Sequence, residues 1–254
     1  MGIEIENVTV TYLASSRPVI LGLSLTAKKG EITSILGPTG SGKTTLFKAI
    51  AGLLDFEEAS VFGRIVLDEE IHKLPVTWHK PISIVFQEPT LFPWLTVLGN
   101  IISLHASQLD SSGTHDSIVE RAIDYLTAVG LRQYSDFRPY QLSGGMRARA
   151  NLARALSFES PMVLLDEPFA NLDEIMKERV AAVVSRHAAE TQAAILMVTH
   201  NIRDAIRLSD SVYVLSGEPL DRAILWQKPS GPGNVEAMYE EVRAICEEQW
   251  YRRR

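Results

Sequence analysis

Residues 37–44 read Gly-Pro-Thr-Gly-Ser-Gly-Lys-Thr, a G-x-x-x-x-G-K-[ST] octet whose flanks restrict what this chain can fold into. The apolar run Ile32-Thr33-Ser34-Ile35-Leu36 enters it, and Thr45-Leu46-Phe47-Lys48-Ala49-Ile50 leaves it with helical spacing. A strand that turns through glycines into a helix start aims several backbone N–H groups at one point. The helix dipole adds positive potential there, so a polyphosphate meets donors already oriented. Gly37, Gly40 and Gly42 suit the close backbone approach or positive φ of such a loop, with Pro38, Thr39 and Ser41 between them. In this reading Lys43 bridges terminal phosphates, the Thr44 hydroxyl meets Mg²⁺ and Thr45 reaches an inner phosphate.

A chain of 254 residues suits one large α/β domain, or a core with a subdomain. The net charge of −6 weighs against a nucleic-acid surface, which needs a basic stripe to displace counterions. Cys246 is the only cysteine, so no intrachain disulfide forms, as suits a reducing compartment; it reads as a half-buried side chain on a late helix. No apolar run reaches membrane-span length, and Glu4 and Glu6 stand where a signal peptide would be basic. The expected location is cytosolic, with any membrane contact made through a partner.

Strand-like runs cover Ile3–Tyr12, Val19–Ala27, Glu31–Leu36, Arg64–Leu67 and Ile82–Phe86. Helical spacing dominates from about residue 95 to 158, where Ile118, Ala122, Tyr125, Leu126 and Val129 share a face and Ser117 with Glu120 forms a capping box. Strands return at Met162–Leu165, Ala194–Thr199 and Ser211–Leu215, with helices at 174–189 and 201–208. This alternation predicts an α/β fold with a mostly parallel sheet, carrying ligands at the carboxyl ends of its strands. The expected organisation is a nucleotide-binding core, 1–90 and 159–225, interrupted by a helical insert over about 91–158. Gly231-Pro232-Gly233 reads as a hinge before a tail, 231–254, that ends in Arg252-Arg253-Arg254.

Met162-Val163-Leu164-Leu165-Asp166-Glu167 is an apolar strand ending in two carboxylates. Alternate side chains of an extended segment point opposite ways, so Asp166 suits Mg²⁺ while Glu167 suits polarising an attacking water. Leu142-Ser143-Gly144-Gly145-Met146 opens another helix. It is either an ordinary cap or a second anion site without a lysine, which makes sense if it serves a nucleotide held by another copy.

These motifs, in this order, resemble the ATP-binding subunit of an ABC transporter over nearly the whole chain. The resemblance makes 37–44 the Walker A loop, Gln87 the Q-loop residue and a metal contact, 142–146 the signature and 162–166 Walker B. It makes Glu167 the catalytic carboxylate, Ala170-Asn171-Leu172-Asp173 the D-loop, His200 the switch histidine and Tyr12 the aromatic that stacks on adenine. His72, His79, His105, His115 and His187 lack such company and read as surface residues. Val85–Val97, with Phe92-Pro93-Trp94 at its centre, and Tyr140–Met146 are similar to the nitrate/sulfonate/taurine-type importers. Phe92, Pro93 and Trp94 either line a groove for a permease or pack the insert. Met146 departs from the glutamine usual there and cannot supply its amide hydrogen bonds; Arg147-Ala148-Arg149 and Asn171 are further departures.

The resemblance implies an N-terminal antiparallel β subdomain beside a P-loop core, and an ATPase that closes head-to-tail with a second copy around Mg–ATP. It further implies an integral-membrane permease as partner, an external solute-binding protein met indirectly, and a peripheral position on the inner face of the membrane. Import of a small anionic solute is its expected purpose. The rival readings are an ABC ATPase acting on nucleic acid or in cofactor assembly, and a phosphotransferase that shares only the phosphate loop.

Overall fold

The structure, a computed structural model, describes all residues except 1, 56, 68–69, 75, 77–81, 109–113, 171, 230–233 and 252–254. His79, Asn171, the expected Gly231–Gly233 hinge and the arginine tail, together with the side chain of His115, therefore lie outside the described residues. In chain order the first elements are β1 (Ile3–Tyr12), β2 (Ile20–Ala27), β3 (Ile32–Leu36), α1 (Lys43–Ala51), β4 (Ala59–Leu67), β5 (Glu70–Lys73) and β6 (Ser83–Val85). Helices α2 (Val97–Ile102), α3 (Thr114–Ala128) and α4 (Gly144–Ser157) follow, joined by short 3₁₀ turns. The chain then runs through β7 (Met162–Asp166), α5 (Glu174–Thr191), β8 (Ala194–Thr199), α6 (Ile202–Leu208), β9 (Ser211–Ser216), β10 (Arg222–Gln227) and α7 (Val235–Tyr251).

Two sheets result. An antiparallel one has the order β2-β1-β4-β5, and the central one runs β10-β9-β3-β8-β7-β6, parallel except where β10 pairs with β9. Strands β3, β7, β8 and β9 are buried at every position, as strands covered on both faces must be. Their side chains divide by the period of two. Leu164, Leu196 and Val198 join Leu46 and Phe47 of α1 and the inner face of the antiparallel sheet. Leu165, Ile195 and Met197 instead join Leu126, Leu152 and Val184 of α3, α4 and α5. A third cluster lies under α7, where Trp226 Nε1 donates to Glu241 at 3.0 Å and Trp250 Nε1 to the Leu215 carbonyl at 3.0 Å.

The carboxyl end of α3 is held from two other helices. Arg149 of α4 donates to the Val129 carbonyl at 2.6 Å, and Arg179 of α5 to those of Ala128 and Thr127 at 2.6 and 2.7 Å. Two cations thus meet the negative end of one helix dipole.

Several expectations need correction. Helix α3 opens at Thr114, so Ser117 lies inside its first turn and not at its cap. His105 and His187 are buried: His105 stacks on Phe158 with centroids 5.3 Å apart, and His187 Nδ1 lies 2.7 Å from Tyr125 Oη. A neutral imidazole tolerates burial when a ring nitrogen is hydrogen-bonded, a pairing across α3 and α5 that no sequence spacing announces. Cys246 is fully buried, which pushes its thiol up to about 12 and leaves it inert. Strands β5 and β10 were not expected; both are short edge strands, and β5 carries mostly exposed side chains with no apolar run.

Candidate functional site

Strands β3, β8 and β7 lie side by side, with Leu36 opposite Thr199 and Asp166 opposite Val198. The segments that begin at Gly37, Glu167 and His200 therefore leave the sheet along a single edge, where α1 also starts.

Gly40 and Gly42 have φ of 80° and 97°, and Gly42 caps α1 in the left-handed conformation. A Cβ on Gly37 would sit 2.8 Å from Ser41 Oγ, so any larger residue there would push the serine hydroxyl aside. No side chain caps α1 and no acid occupies its first turn, which leaves its leading N–H groups for a ligand. Ser41 Oγ is buried without a hydrogen-bond partner. Glycines that open the backbone, an uncapped helix start and an orphan hydroxyl fit a polyphosphate guest. Lys43 Nζ donates to the Gly37 and Pro38 carbonyls at 2.7 and 2.8 Å, arching its ammonium over the loop. Burial lowers its pKa, against the opposing charges of Glu167 and Asp166. Pro38, Thr39 and Thr44 are exposed, whereas Thr45 is buried with Oγ1 3.2 Å from Tyr12 Oη.

Asp166 ends β7 nearly buried. Desolvation raises its carboxyl above the usual range, Glu167 adds to the effect, and Lys43 and Lys48 oppose it. Glu167 follows with φ 49°, and its N–H donates to the Val198 carbonyl at 2.9 Å. That turn brings its carboxylate to the end of β8. Oε1 accepts from the His200 backbone N–H at 3.0 Å and lies 2.6 Å from His200 Nδ1, while Oε2 accepts from Thr199 Oγ1 at 3.0 Å. The structure thus brings Lys43, Asp166, Glu167 and His200 together. Sequence reading missed Thr199, because an apolar strand ending in Thr-His gives no sign that the threonine faces a carboxylate 32 residues earlier.

Among the described residues, Gln87, Ser143–Gly145 and Asp173 make no hydrogen bond to this group. Gln87 is exposed just beyond β6, whose Val85 pairs with Leu165 of β7. Ser143 caps α4, its Oγ accepting from the Met146 N–H at 3.2 Å; Ser143 and Gly144 are exposed and Gly145 half-buried. Among the described residues no hydrogen bond or ion pair joins Ser143–Gly145 to the 37–45 loop. Asp173 is exposed and caps α5, accepting from the Met176 N–H at 2.9 Å.

Trp94 is 67% exposed and Phe92 39%, so neither serves mainly as core packing. Their rings lie 5.3 Å apart, and the Arg154 guanidinium sits 5.9 Å from the Phe92 centroid. Arg154 is held by the Thr90 carbonyl and hydroxyl, both at 2.7 Å, and by Asn151 Oδ1 at 2.9 Å. It also borders a cleft of about 200 Å³ with Ile82, Ile84, Leu104 and Phe158.

A glycine cradle at a strand end, paired carboxylates on the next strand but one and an intervening histidine describe a P-loop nucleotide hydrolase. The model of the ABC transporter family matches residues 20–170, more than half of the sequence. The chain belongs to the ABC transporter family, and it is an ATPase of that family. It is 37% identical over 191 residues to the thiamine import ATP-binding protein ThiQ of Photobacterium profundum, a match covering 75% of this chain and 76% of that one. It is 36% identical over 205 residues to the aliphatic sulfonates import ATP-binding protein SsuB 1 of Xanthomonas axonopodis pv. citri, covering 80% and 77%. Among solved structures it superposes with a TM-score of 0.76 and 26% identity on the dimeric post-hydrolysis ATP-binding cassette MJ0796 bound to ADP and Pi, covering 90% of this chain and all of that one. Among the described residues, no helix is long and apolar enough to cross a membrane.

Proposed function

We propose that this chain is the ATP-hydrolysing subunit of an importer and energises a membrane permease that takes up a small anionic solute of the sulfonate type. The observation that carries the reading is the shared edge of β3, β8 and β7, which gathers Lys43, Asp166, Glu167 and His200 around the phosphate loop. Lys43 and the N–H groups of 37–45 hold the triphosphate, and Tyr12 sits beside the loop for the base. Thr44, Asp166 and Gln87 are the residues to hold Mg²⁺, which supplies charge neutralisation on the phosphates when bound. Glu167 takes the proton of the attacking water, and His200 contacts the γ-phosphate. Phosphoryl transfer leaves little covalent work for the protein, so positioning and fixed charge supply most of the rate.

The separation of Ser143–Gly145 from the chain's own loop supports their use on a nucleotide bound by a second copy, with Asp173 at the seam. The dimeric MJ0796 cassette supports pairing of two copies. Closure of two copies would complete each site, and phosphate release would reopen it. The exposed Phe92 and Trp94, with the adjoining cleft, suit docking of a permease, and such docking would put the subunit on the inner face of the membrane. A solute-binding protein would then act only through that permease. The sulfonate relative and the Val85–Val97 segment favour an anionic solute, while the thiamine relative supports a second reading in which thiamine is carried.

The test uses Lys43→Ala and Glu167→Gln. The first should lose tight ATP binding; the second should bind ATP, turn over about 10²–10⁴-fold more slowly and accumulate as a dimer. Normal phosphate release by Glu167→Gln would remove the base from this account. Uptake of radiolabelled sulfonate or thiamine by the reconstituted transporter separates the two solutes.

A further inference from the structure

Glu167 is held by two consecutive residues of different exposure. Thr199 is the last residue of β8 and is only 2% exposed, so its side chain moves only with the central sheet. His200 lies just outside the strand, with its side chain 66% exposed. Each takes one oxygen of the carboxylate: His200 serves Oε1 and Thr199 serves Oε2.

The direction of the threonine bond is fixed by its surroundings. Thr199 Oγ1 accepts the Asn201 backbone N–H at 3.1 Å. A hydroxyl has one proton and a carboxylate oxygen only accepts, so that proton goes to Glu167 Oε2. A β-branched side chain in a strand also has a restricted χ1, so the donor keeps its aim.

We propose that Thr199 is a positioning residue for ATP hydrolysis: it keeps the Glu167 carboxylate aligned while the exposed His200 ring turns from Oε1 to the nucleotide. The inference rests on the assignment of Glu167 as the base. A carboxylate freed of the His200 ring and lacking Thr199 would keep only the His200 backbone N–H on Oε1, and would pivot about that single bond. The geometry for proton removal would then be populated only part of the time.

The test compares Thr199→Val, Thr199→Ser, Glu167→Gln and the Thr199→Val/Glu167→Gln double variant in the purified full-length protein. The valine variant should lower kcat about 10- to 100-fold, the range of a lost hydrogen bond to a charged group, with KM for ATP and Tm little changed. The serine variant, which keeps the hydroxyl, should recover kcat to within a few-fold. The double variant should be no slower than Glu167→Gln alone, because the threonine acts only through the carboxylate. Full turnover by Thr199→Val, failure of serine to rescue, or additive loss in the double variant would each overturn the proposal. If the valine protein is poorly folded, Thr199→Ala carries the same comparison. Normal turnover by Glu167→Gln would instead sink the base assignment beneath it, so the two failures are told apart.

Discussion

Single residues in the phosphate loop are constrained for different reasons, and substitutions should reveal which. Gly40 has φ 80° and open space around its missing side chain, whereas Gly42 has φ 97° and a Cβ there would lie 3.0 Å from Val19 Cγ1. Gly40→Ala is expected to cost about 1 kcal/mol, from backbone strain alone. Gly42→Ala should cost more, since the contact adds to the strain. Urea denaturation of the two proteins checks the order, and equal losses would show that the Val19 contact is relieved without cost. These glycines were legible in the sequence because loop chemistry is local. Thr199 was not, because only the parallel register of β7 and β8 brings it to Glu167. The burial of His187 was hidden likewise, its partner Tyr125 lying on a different helix.

At the scale of elements, Ser143 has a structural duty that must be separated from its proposed one. It caps α4, and Ser143→Ala should lower stability by about 1 kcal/mol through loss of that cap alone. If its hydroxyl also grips the partner's nucleotide, ATP turnover should fall far more than this modest loss of folded protein explains. Parallel measurements of unfolding and phosphate release decide it, and unchanged turnover would confine Ser143 to the cap. Long buried elements were readable from their patterns: β1 and β8 were expected with the bounds observed, and α5 only two residues short. Strand β10 was missed although Ala223-Ile224-Leu225-Trp226 is apolar, because a four-residue apolar run does not by itself tell a strand from a helix segment.

For the whole molecule, His187 ties stability to pH. Burial lowers its pKa to about 4, from an ordinary value near 6.5, and it sits where α3 meets α5. The unfolded chain therefore binds a proton between these values while the folded chain does not. Its contribution is full above pH 6.5 and is lost as pH falls towards 4, by up to about 3 kcal/mol. Denaturation midpoints measured between pH 7 and 4 should decline, and His187→Phe should flatten that decline. An identical slope in the variant would assign the effect to other groups. The sheet order and the pairing of the β subdomain with the core were legible only in outline, since alternation predicts a parallel sheet without saying which strands are neighbours.

The arginine pair on the last carbonyls of α3 has a mechanical corollary. Grips from α4 and α5 at one spot leave that corner of the molecule stiff. Any rocking of the helices between β6 and β7 should swing about it as a door swings on its jamb.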